Sequence, residues 1–589
     1  MVSTYPSTKG SGVSHVCCIG AGYVGGPTSA VMALKCPGIQ FTVVDIDAKR
    51  IAAWNSDSLP VYEPGLDGIV QQRRGINLHF STDIESSIRE ADIILIAVNT
   101  PPLQPQTQKQ HNQQGQWGDA RAMETDLSAM EHCAMRIAHA AQSSKIVVEK
   151  STVPCKTGDM LSSILQRHAH SGVTFDVLAN PEFLSEGTAV RDLENPERVI
   201  IGGQRGTERA QQALASVYAQ WVSADRIVTM GLWSAELAKL AANAMLAQRV
   251  SSINAISALC EATGADVADV ARGCAMDSRI GAKFMRPSVG FGGSCFHKDV
   301  ASLVWLSRSL GLPEVGDYWQ QVLTINEFQK TRFAQRIVHA AGGLTGKRVA
   351  CLGFAYKGGT GDTRNTPAAA VCRTLLAHGA QLAIYDPKVP PHCIIEHLSD
   401  PCFQSQTTTA NATDASTDST NVRICETAQQ AMAGAHVVAM LTAWDEFRYI
   451  DWMKASTLLA ATPQQQPHPL VFDGHLLIEN AAELEQKLGL KVFSVGRSHT
   501  YVDRKVSVIM CDGRLVVGML RGLDQTTNII MQECQERVFS EDEGVESIDI
   551  GLYMIRGDNI VVVGLIDEEA DAELDFENTR CAPLEPIKH

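Results

Sequence analysis

Gly20-Ala21-Gly22-Tyr23-Val24-Gly25 stands between two apolar stretches, and no other feature of the chain narrows its fold as much. Residues 16–19 read as a short buried strand, the glycines as a turn into a helix running to about residue 34, and residues 41–45 as a second strand ending on Asp45. That order is the βαβ unit of a dinucleotide-binding sheet. Glycines permit the turn and the close approach of a pyrophosphate, the helix N-terminus offers N–H donors, and the acid receives a ribose hydroxyl. A carboxylate at this strand end repels a 2′-phosphate, so the cofactor read from the residues is NAD rather than NADP. The same pattern with no cofactor would still make a doubly wound α/β domain.

A second run of glycines, Gly290-Phe291-Gly292-Gly293-Ser294-Cys295-Phe296-His297-Lys298-Asp299, sets one cysteine beside a lysine and a carboxylate. A thiolate needs donors or positive charge nearby to exist near neutral pH, and glycines let a ligand approach the backbone. Taken alone, the loop reads equally as a structural tight turn with an inert thiol. The 16 cysteines of the chain contain no C-x-x-C pair, which argues against a zinc ribbon or a dithiol redox site. Residues 1–14 are small and polar, so no secretory signal is expected, and a reducing, cytoplasmic setting leaves Cys295 available as a nucleophile. No apolar run approaches the roughly 20 residues of a membrane span.

Further strands are expected at residues 93–98, 146–149 and 198–201. The Gln/Pro-rich residues 101–118 read as a loop insertion. Residues 233–261 hold no proline or glycine and predict a long helix with Lys239 and Asn243 on one face, of the kind that organises a bundle or a dimer interface. A second α/β unit follows, with strands at 348–353, 381–385, 436–441 and 470–472 and a helix at 366–377. Residues 404–421, rich in Ser, Thr, Asp and Asn, predict disorder. After about residue 497 the pattern changes to dense β signals at 506–510, 515–520, 528–533, 548–555 and 560–565, with Asp512-Gly513 and Gly557-Asp558-Asn559 as turns. From Ser498 on, 19 acidic residues face 8 basic ones, a net of −11 that leaves −4 of the total −15 for everything before it. Such a tail can bind nucleic acid only through local donors and stacking. The fold class expected is therefore α/β with two Rossmann-like domains joined by a long central helix, then an all-β domain. Its parts span residues 14–225, 226–335, 336–497 and 498–589.

Residues 14–497 resemble the UDP-glucose/GDP-mannose dehydrogenase family, and within it the UDP-glucose enzymes. The resemblance rests on the glycine fingerprint, Glu149-Lys150-Ser151-Thr152-Val153-Pro154, Asn180-Pro181-Glu182-Phe183-Leu184-Ser185-Glu186-Gly187, Glu236-Leu237-Ala238-Lys239-Leu240-Ala241-Ala242-Asn243, the Cys295 loop and Gly361-Asp362-Thr363-Arg364. It implies oxidation of UDP-glucose to UDP-glucuronate with two NAD⁺ and one water. Cys295 would capture the C6 aldehyde as a thiohemiacetal, the second oxidation would give a thioester, and water would release the product. Lys239 and Asn243 would stabilise oxyanions, and Asp299, Thr152 and Glu182 would handle the water, a carboxylate serving as base. The same matching gives Gly20, Gly22, Tyr23, Val24, Gly25, Asp45, Arg50, Thr100, Ser151, Thr152, Glu186 and Arg364 as NAD contacts. It gives Glu182, Phe183, Leu184, Glu186, Lys239, Asn243, Phe284, Arg286, Phe291, Gly292 and Lys357 as UDP-sugar contacts, with Arg279 reaching a neighbouring subunit's substrate. Arg286 stands where lysine is common. His475 stands where the family usually has a substrate-binding arginine, and losing that fixed charge and fork is expected to raise KM while leaving turnover intact. The family also implies dimers building to hexamers through the central helical domain.

Residues 498–589 resemble the Sm-like (LSm) family, and its subunit that distinguishes the nuclear ring on the uridine-rich end of U6 small nuclear RNA. Asp512-Gly513-Arg514, Gly522 to Asn528 and Gly551 to Asn559 carry the resemblance, which implies a five-stranded barrel. It implies that Asn528, Arg556 and Gly557 bind a flipped uracil, and that strand edges pair with other LSm subunits. Thr526 occupies a position where many relatives carry an aromatic residue or histidine, so stacking there would be weak. Three readings stay open: an NAD-dependent dehydrogenase with an appended RNA-binding module, an RNA-splicing subunit with an inert dehydrogenase half and a nuclear location, or two neighbouring genes joined in one reading frame.

Overall fold

The computed structural model describes residues 12–103, 124–399, 421–459, 469–498, 505–523 and 527–586. Most of the expected loop at 101–118, all but Asn421 of the stretch 404–421, and Thr526 lie outside the described residues. The chain divides into two compact units, Met1–Ile256 with Ala271–Val495, and Ser257–Val270 with Gly496–His589.

The first unit is built on two sheets. One has eight strands: β1 (His15–Ile19), β2 (Gln40–Val44), β3 (Leu78–Ser81), β4 (Ile93–Ile96), β5 (Lys145–Glu149), β6 (Phe175–Ala179), β7 (Val199–Gly203) and β8 (Ile227–Gly231). Their order is β3-β2-β1-β4-β5-β6-β7-β8, parallel except where β7 runs against β6. β4 (IILI) is buried at every position, as a strand covered by helices on both faces must be. The helix Gly25–Lys35 packs its first nine residues into this core. Trp54 is fully buried, stacks on Phe80 at 4.9 Å and donates its indole N–H to Ala21 O at 2.9 Å. That bond ties the glycine turn to the core through a side chain whose burial is worth about 2–3 kcal/mol.

The second sheet comprises β9 (Arg348–Leu352), β10 (Gln381–Tyr385), β11 (Val422–Ile424), β12 (Val437–Met440), β13 (Leu470–Asp473) and β14 (Lys491–Ser494). It is parallel throughout, in the order β11-β10-β9-β12-β13-β14. In both sheets the order reverses beside the first strand, between β1 and β4 and between β9 and β12, which is where open α/β sheets leave a crevice at their carboxyl ends. Between the sheets in sequence run the 32-residue helix Leu232–Thr263, the helix Phe296–Ser309 and the helix Pro313–Ala340. Among the described residues no helix is long and apolar enough to cross a membrane.

In the second unit, Gly496 sits at φ +72 against residues of the central helix end. Its N–H donates to Glu261 Oε1 at 2.7 Å, its carbonyl accepts from Val267 N at 3.0 Å, and Arg497 pairs with Asp266 at 2.9 Å. After that come β15 (Lys505–Met510), β16 (Leu515–Leu523), β17 (Ile529–Val538), β18 (Glu546–Ile555) and β19 (Ile560–Leu565), antiparallel in the order β18-β17-β16-β15-β19. Burial alternates along β15, and Val506, Val508 and Met510 meet Val516, Leu520, Ile529, Met531 and Cys534 in one core. Gly518 is required there, since a Cβ would press on Cys534 at 2.8 Å, and the register shifts beside it let the sheet bend. β18 and β19 are the two edges of this sheet. The chain then returns: Arg537 holds Asp571 with two bonds of 2.7 Å and stacks over Phe576 at 4.4 Å.

Candidate active site

The three glycines of the fingerprint do three different things. Gly20 (φ +110) would drive a Cβ into the Ala97 carbonyl just after β4, and Gly25 would drive one into the Gly20 carbonyl and the Cys18 thiol, so both serve close packing. Gly22 faces open space with nothing within 4 Å, which leaves its backbone free for a phosphate to approach. Val24 leads into the helix Gly25–Lys35. Asp45 is buried at the end of β2. Its Oδ2 accepts from Ala21 N at 2.8 Å and from Arg50 Nη1 at 3.0 Å, and Oδ1 accepts from Asp47 N at 2.9 Å. The cradle thus fits the adenosine and pyrophosphate of NAD, with Asp45 held rigid by backbone donors. Ser151 donates to Val98 O at 2.6 Å, and Thr100 donates to Thr152 O at 2.8 Å, joining the ends of β4 and β5. Gly187 (φ +82) approaches the Gly359 carbonyl closely, and its N–H reaches Glu63 Oε1 at 2.5 Å and the Tyr23 hydroxyl at 3.3 Å.

Glu182, Lys239, Asn243 and Cys295 line one cavity of about 740 Å³ together with Phe183, Leu184 and Phe284. A turn after β6 presents Glu182. It is fixed from below by Asn180, whose Oδ1 accepts from Lys150 Nζ at 3.1 Å and from Tyr218 OH at 2.6 Å. Leu184 N donates to Glu182 Oε2 at 2.9 Å, which aims Oε1 at Lys239 Nζ, 3.6 Å away. Lys239 is buried, with its ammonium 5.1 Å over the Phe183 ring. One helical turn on, Asn243 Nδ2 donates to Asp299 Oδ2 at 2.6 Å. Asp299 is fully buried, and its Oδ1 has no hydrogen bond. Phe284 holds φ +61, a strained value for an aromatic residue and a mark of a ligand-facing loop.

Cys295 caps the 14-residue helix Phe296–Ser309, with Ser294 Oγ 3.5 Å from its sulfur. A lysine and a carboxylate both flank this thiol in sequence, and the structure shows which way the balance falls. Although the residue is exposed, its sulfur is densely surrounded; that burial, then Glu182 and Asp299, raise the thiol above its ordinary value and outweigh Lys239 and Ser294. Burial likewise raises Asp299, against Lys298, Lys239 and the bond from Asn243.

A second group lies on loops after β9. Arg364 bonds Glu186 Oε1 at 2.8 Å and Asp362 Oδ2 at 2.6 Å, and Lys357 donates to Ser185 Oγ at 2.6 Å. Burial and the neighbouring Asp362 push Glu186 up to about 8 despite Arg364. Other expected contacts sit elsewhere. The Phe291 ring is in the core with Leu240 and Val300, and both its N–H and its carbonyl are bonded to Asn326, at 2.8 and 3.0 Å. Gly292 packs against Asn365 and Tyr356, where a Cβ would not fit. Arg286 spends its guanidinium on the carbonyls of His475 and Leu476, at 3.0 and 2.7 Å. Arg279 pairs with Asp277 at 2.6 Å. His475 bonds Leu441 O through Nε2 at 3.0 Å, and burial lowers its pKa, so it brings no fixed charge. Lys298, Glu63 and Tyr356 entered this site unannounced. Lys298 stood in a quoted motif, but nothing in the sequence shows which residues it meets.

Residues 14–222, 233–328 and 350–480 match the NAD binding, central and UDP binding domains of the UDP-glucose/GDP-mannose dehydrogenase family, and residues 497–565 match the LSM domain. The chain belongs to the UDP-glucose/GDP-mannose dehydrogenase family and carries an LSm domain behind it. It is 50% identical over 485 residues to UDP-glucose 6-dehydrogenase 1 of Glycine max, covering 82% of this chain and 97% of that one. To UDP-glucose 6-dehydrogenase of Drosophila melanogaster it is 48% identical over 488 residues, with 82% and 96% covered. Among solved structures, a UDP-glucose dehydrogenase from the archaeon Pyrobaculum islandicum is 27% identical with a TM-score of 0.68, covering 84% of this chain and 100% of that chain.

Proposed function

We propose that the chain is an NAD-dependent UDP-glucose 6-dehydrogenase that converts UDP-glucose to UDP-glucuronate. The observation that carries this is the convergence of Glu182, Lys239, Asn243 and Cys295 on one cavity, with Asp299 behind them. Gly20, Gly22, Gly25 and Asp45 would hold NAD, which would supply the hydride acceptor for each of the two oxidations at C6. The chain's own residues do the rest. The Cys295 sulfur adds to the C6 aldehyde, its proton passing to a carboxylate of the cluster as the C–S bond forms. The raised thiol suits this, because the proton leaves only when an electrophile is present. Lys239 and Asn243 hold the oxygen as charge develops on it. Water then attacks the thioester, Asp299 accepts its proton through the unbonded Oδ1, and the C–S bond breaks to return the thiol. Burial raises this carboxylate above its ordinary value, which strengthens it as a base for that task.

In the same reading the tail is an LSm module whose Asn528, Arg556 and Gly557 meet single-stranded RNA. Asn528 Oδ1 accepts from Gly557 N at 2.8 Å, which fixes that loop, and Arg556 is exposed. Edge strands β18 and β19 carry exposed Leu552, Met554, Val562 and Leu565, a surface suited to pairing with other LSm chains. The assembled cavity argues against an inert dehydrogenase half.

With excess NAD⁺, each UDP-glucose should yield two NADH and one UDP-glucuronate by absorbance and chromatography; no NADH from folded protein rejects the enzyme. For the tail, a uridine-rich oligonucleotide should bind the parent and bind Arg556→Glu at least about tenfold more weakly, as loss of a stacking or donor contact implies. Equal binding by both rejects the assignment of Arg556.

A further inference from the structure

Glu149, the last residue of β5, and Glu236, in the second turn of the helix Leu232–Thr263, adjoin in the interior, each 2% exposed. Glu236 is fully used. Its Oε2 accepts from Lys156 N at 2.6 Å and its Oε1 from Gly158 N at 2.7 Å. It thereby caps the helix Thr157–His168, whose leading residue Lys156 holds φ +79 and offers no side-chain cap. The two helices touch at this point, where a Cβ on Gly158 would press on Leu232 at 2.6 Å. Glu149 has nothing comparable. Among the described residues neither of its oxygens meets a donor, and the charged groups that bear on it are Glu236 and Asp159, both acids. Around Glu236 stand Asp159 and the Cys155 thiol, while the Lys156 ammonium is turned onto the Trp233 ring at 5.6 Å. One hydrogen bond is open to Glu149, with the Glu236 carboxylate, and it requires a proton on Glu149.

We propose that Glu149 and Glu236 share one proton, and that the resulting acid–carboxylate hydrogen bond is a positioning pair that ties the end of β5 to the helix of Lys239. Two buried carboxylates without a counter-ion do not both ionise. Burial raises both, but Glu236 has two backbone N–H groups and keeps the charge. Burial and the adjacent Glu236 push Glu149 far above the ordinary carboxylate range, so the proton stays there. Thr152 follows Glu149 by three residues and Lys239 follows Glu236 by three, so the bond sets the spacing of two groups of the site. That consequence rests on the proposed dehydrogenase reaction, whereas the shared proton does not.

Glu149→Gln keeps a donor toward Glu236 and removes the titration, whereas Glu149→Met removes both. In NADH formation at pH 7, Glu149→Met should lose about tenfold in kcat, the scale of one hydrogen bond to a charged group, and Glu149→Gln should recover to within about threefold of the parent. The proton itself is read without turnover. The folded pKa of Glu149 lies above the unfolded one, so its contribution to stability is whole below the unfolded value and is lost as pH rises toward the folded value, the unfolded chain releasing a proton that the folded chain keeps. The Tm of the parent should therefore fall relative to that of Glu149→Gln from pH 5 to pH 8. Glu149→Met, which likewise has no proton to lose, serves if the glutamine variant does not fold. A Tm difference that stays constant over this range overturns the shared proton. Parental kcat in Glu149→Met, or equal losses in the two variants, overturns the tie between β5 and the Lys239 helix. A parent that makes no NADH overturns the reaction, while the melting comparison still decides for or against the shared proton.

Discussion

Cys295→Ser should stop the release of UDP-glucuronate, with a fall on the order of 10³-fold or more, the range expected when a covalent nucleophile is removed. In the proposed reaction the first oxidation does not use the sulfur, so up to one NADH per active site should still form, together with an aldehyde that a hydrazine reagent can trap. A serine hydroxyl is a poorer nucleophile here than a thiol. The surroundings that raise the Cys295 thiol, burial first and then Glu182 and Asp299, resist an alkoxide even more. The same cause gives a pH dependence: alkylation of Cys295 by iodoacetamide in the free protein should stay slow at pH 7 and accelerate at more alkaline pH than an ordinary thiol requires. Product release at the parental rate by Cys295→Ser would remove the thioester from the mechanism, and fast alkylation at pH 7 would refute the raised thiol.

Lys239→Met should cost about 10²–10³-fold in kcat across the whole pH range, the usual consequence of deleting a buried donor to a developing oxyanion. The side chain is buried against Phe183, so methionine keeps much of its packing and the loss is of charge. A second effect follows from the carboxylates. Lys239 stands 3.6 Å from Glu182 and opposes the burial of Asp299, so its loss also moves the acid limb upward. Lys239→Met thus lowers the plateau and shifts the limb together. A plateau within threefold of the parent would show that Lys239 is not the oxyanion donor.

The fingerprint made β1, β2 and the helix between them legible because each step of that unit has its own residue requirement, and the structure holds Gly20, Gly22 and Gly25 in three distinct environments. The repeated α/β order and the hairpin turns of the tail were equally readable, down to β10 and β19 at their ends. Strands β3 (LHFS), β6 (FDVLA), β8 (IVTMG), β11 (VRI) and β14 (KVFS) escaped notice, being short and interrupted by polar residues. Pairing with neighbours, not local preference, makes them strands. In the site, motifs located Cys295, Lys239 and Glu182, but the direction of the Cys295 shift depends on carboxylates brought in by other segments. The Lys298–Thr100 bond spans 198 positions and leaves no trace in local spacing.

Arg364 reaches back to Glu186, and Lys357 to Ser185, so the last pieces of the site come from the second sheet's first loop. A ribosome adds about 5–20 residues per second. The 92 residues 498–589 take roughly 5–20 s of synthesis at that pace. The dehydrogenase part can thus close its site and load NAD while the LSm sheet is still being made, and a translation stall in the tail would leave that part without its LSm domain.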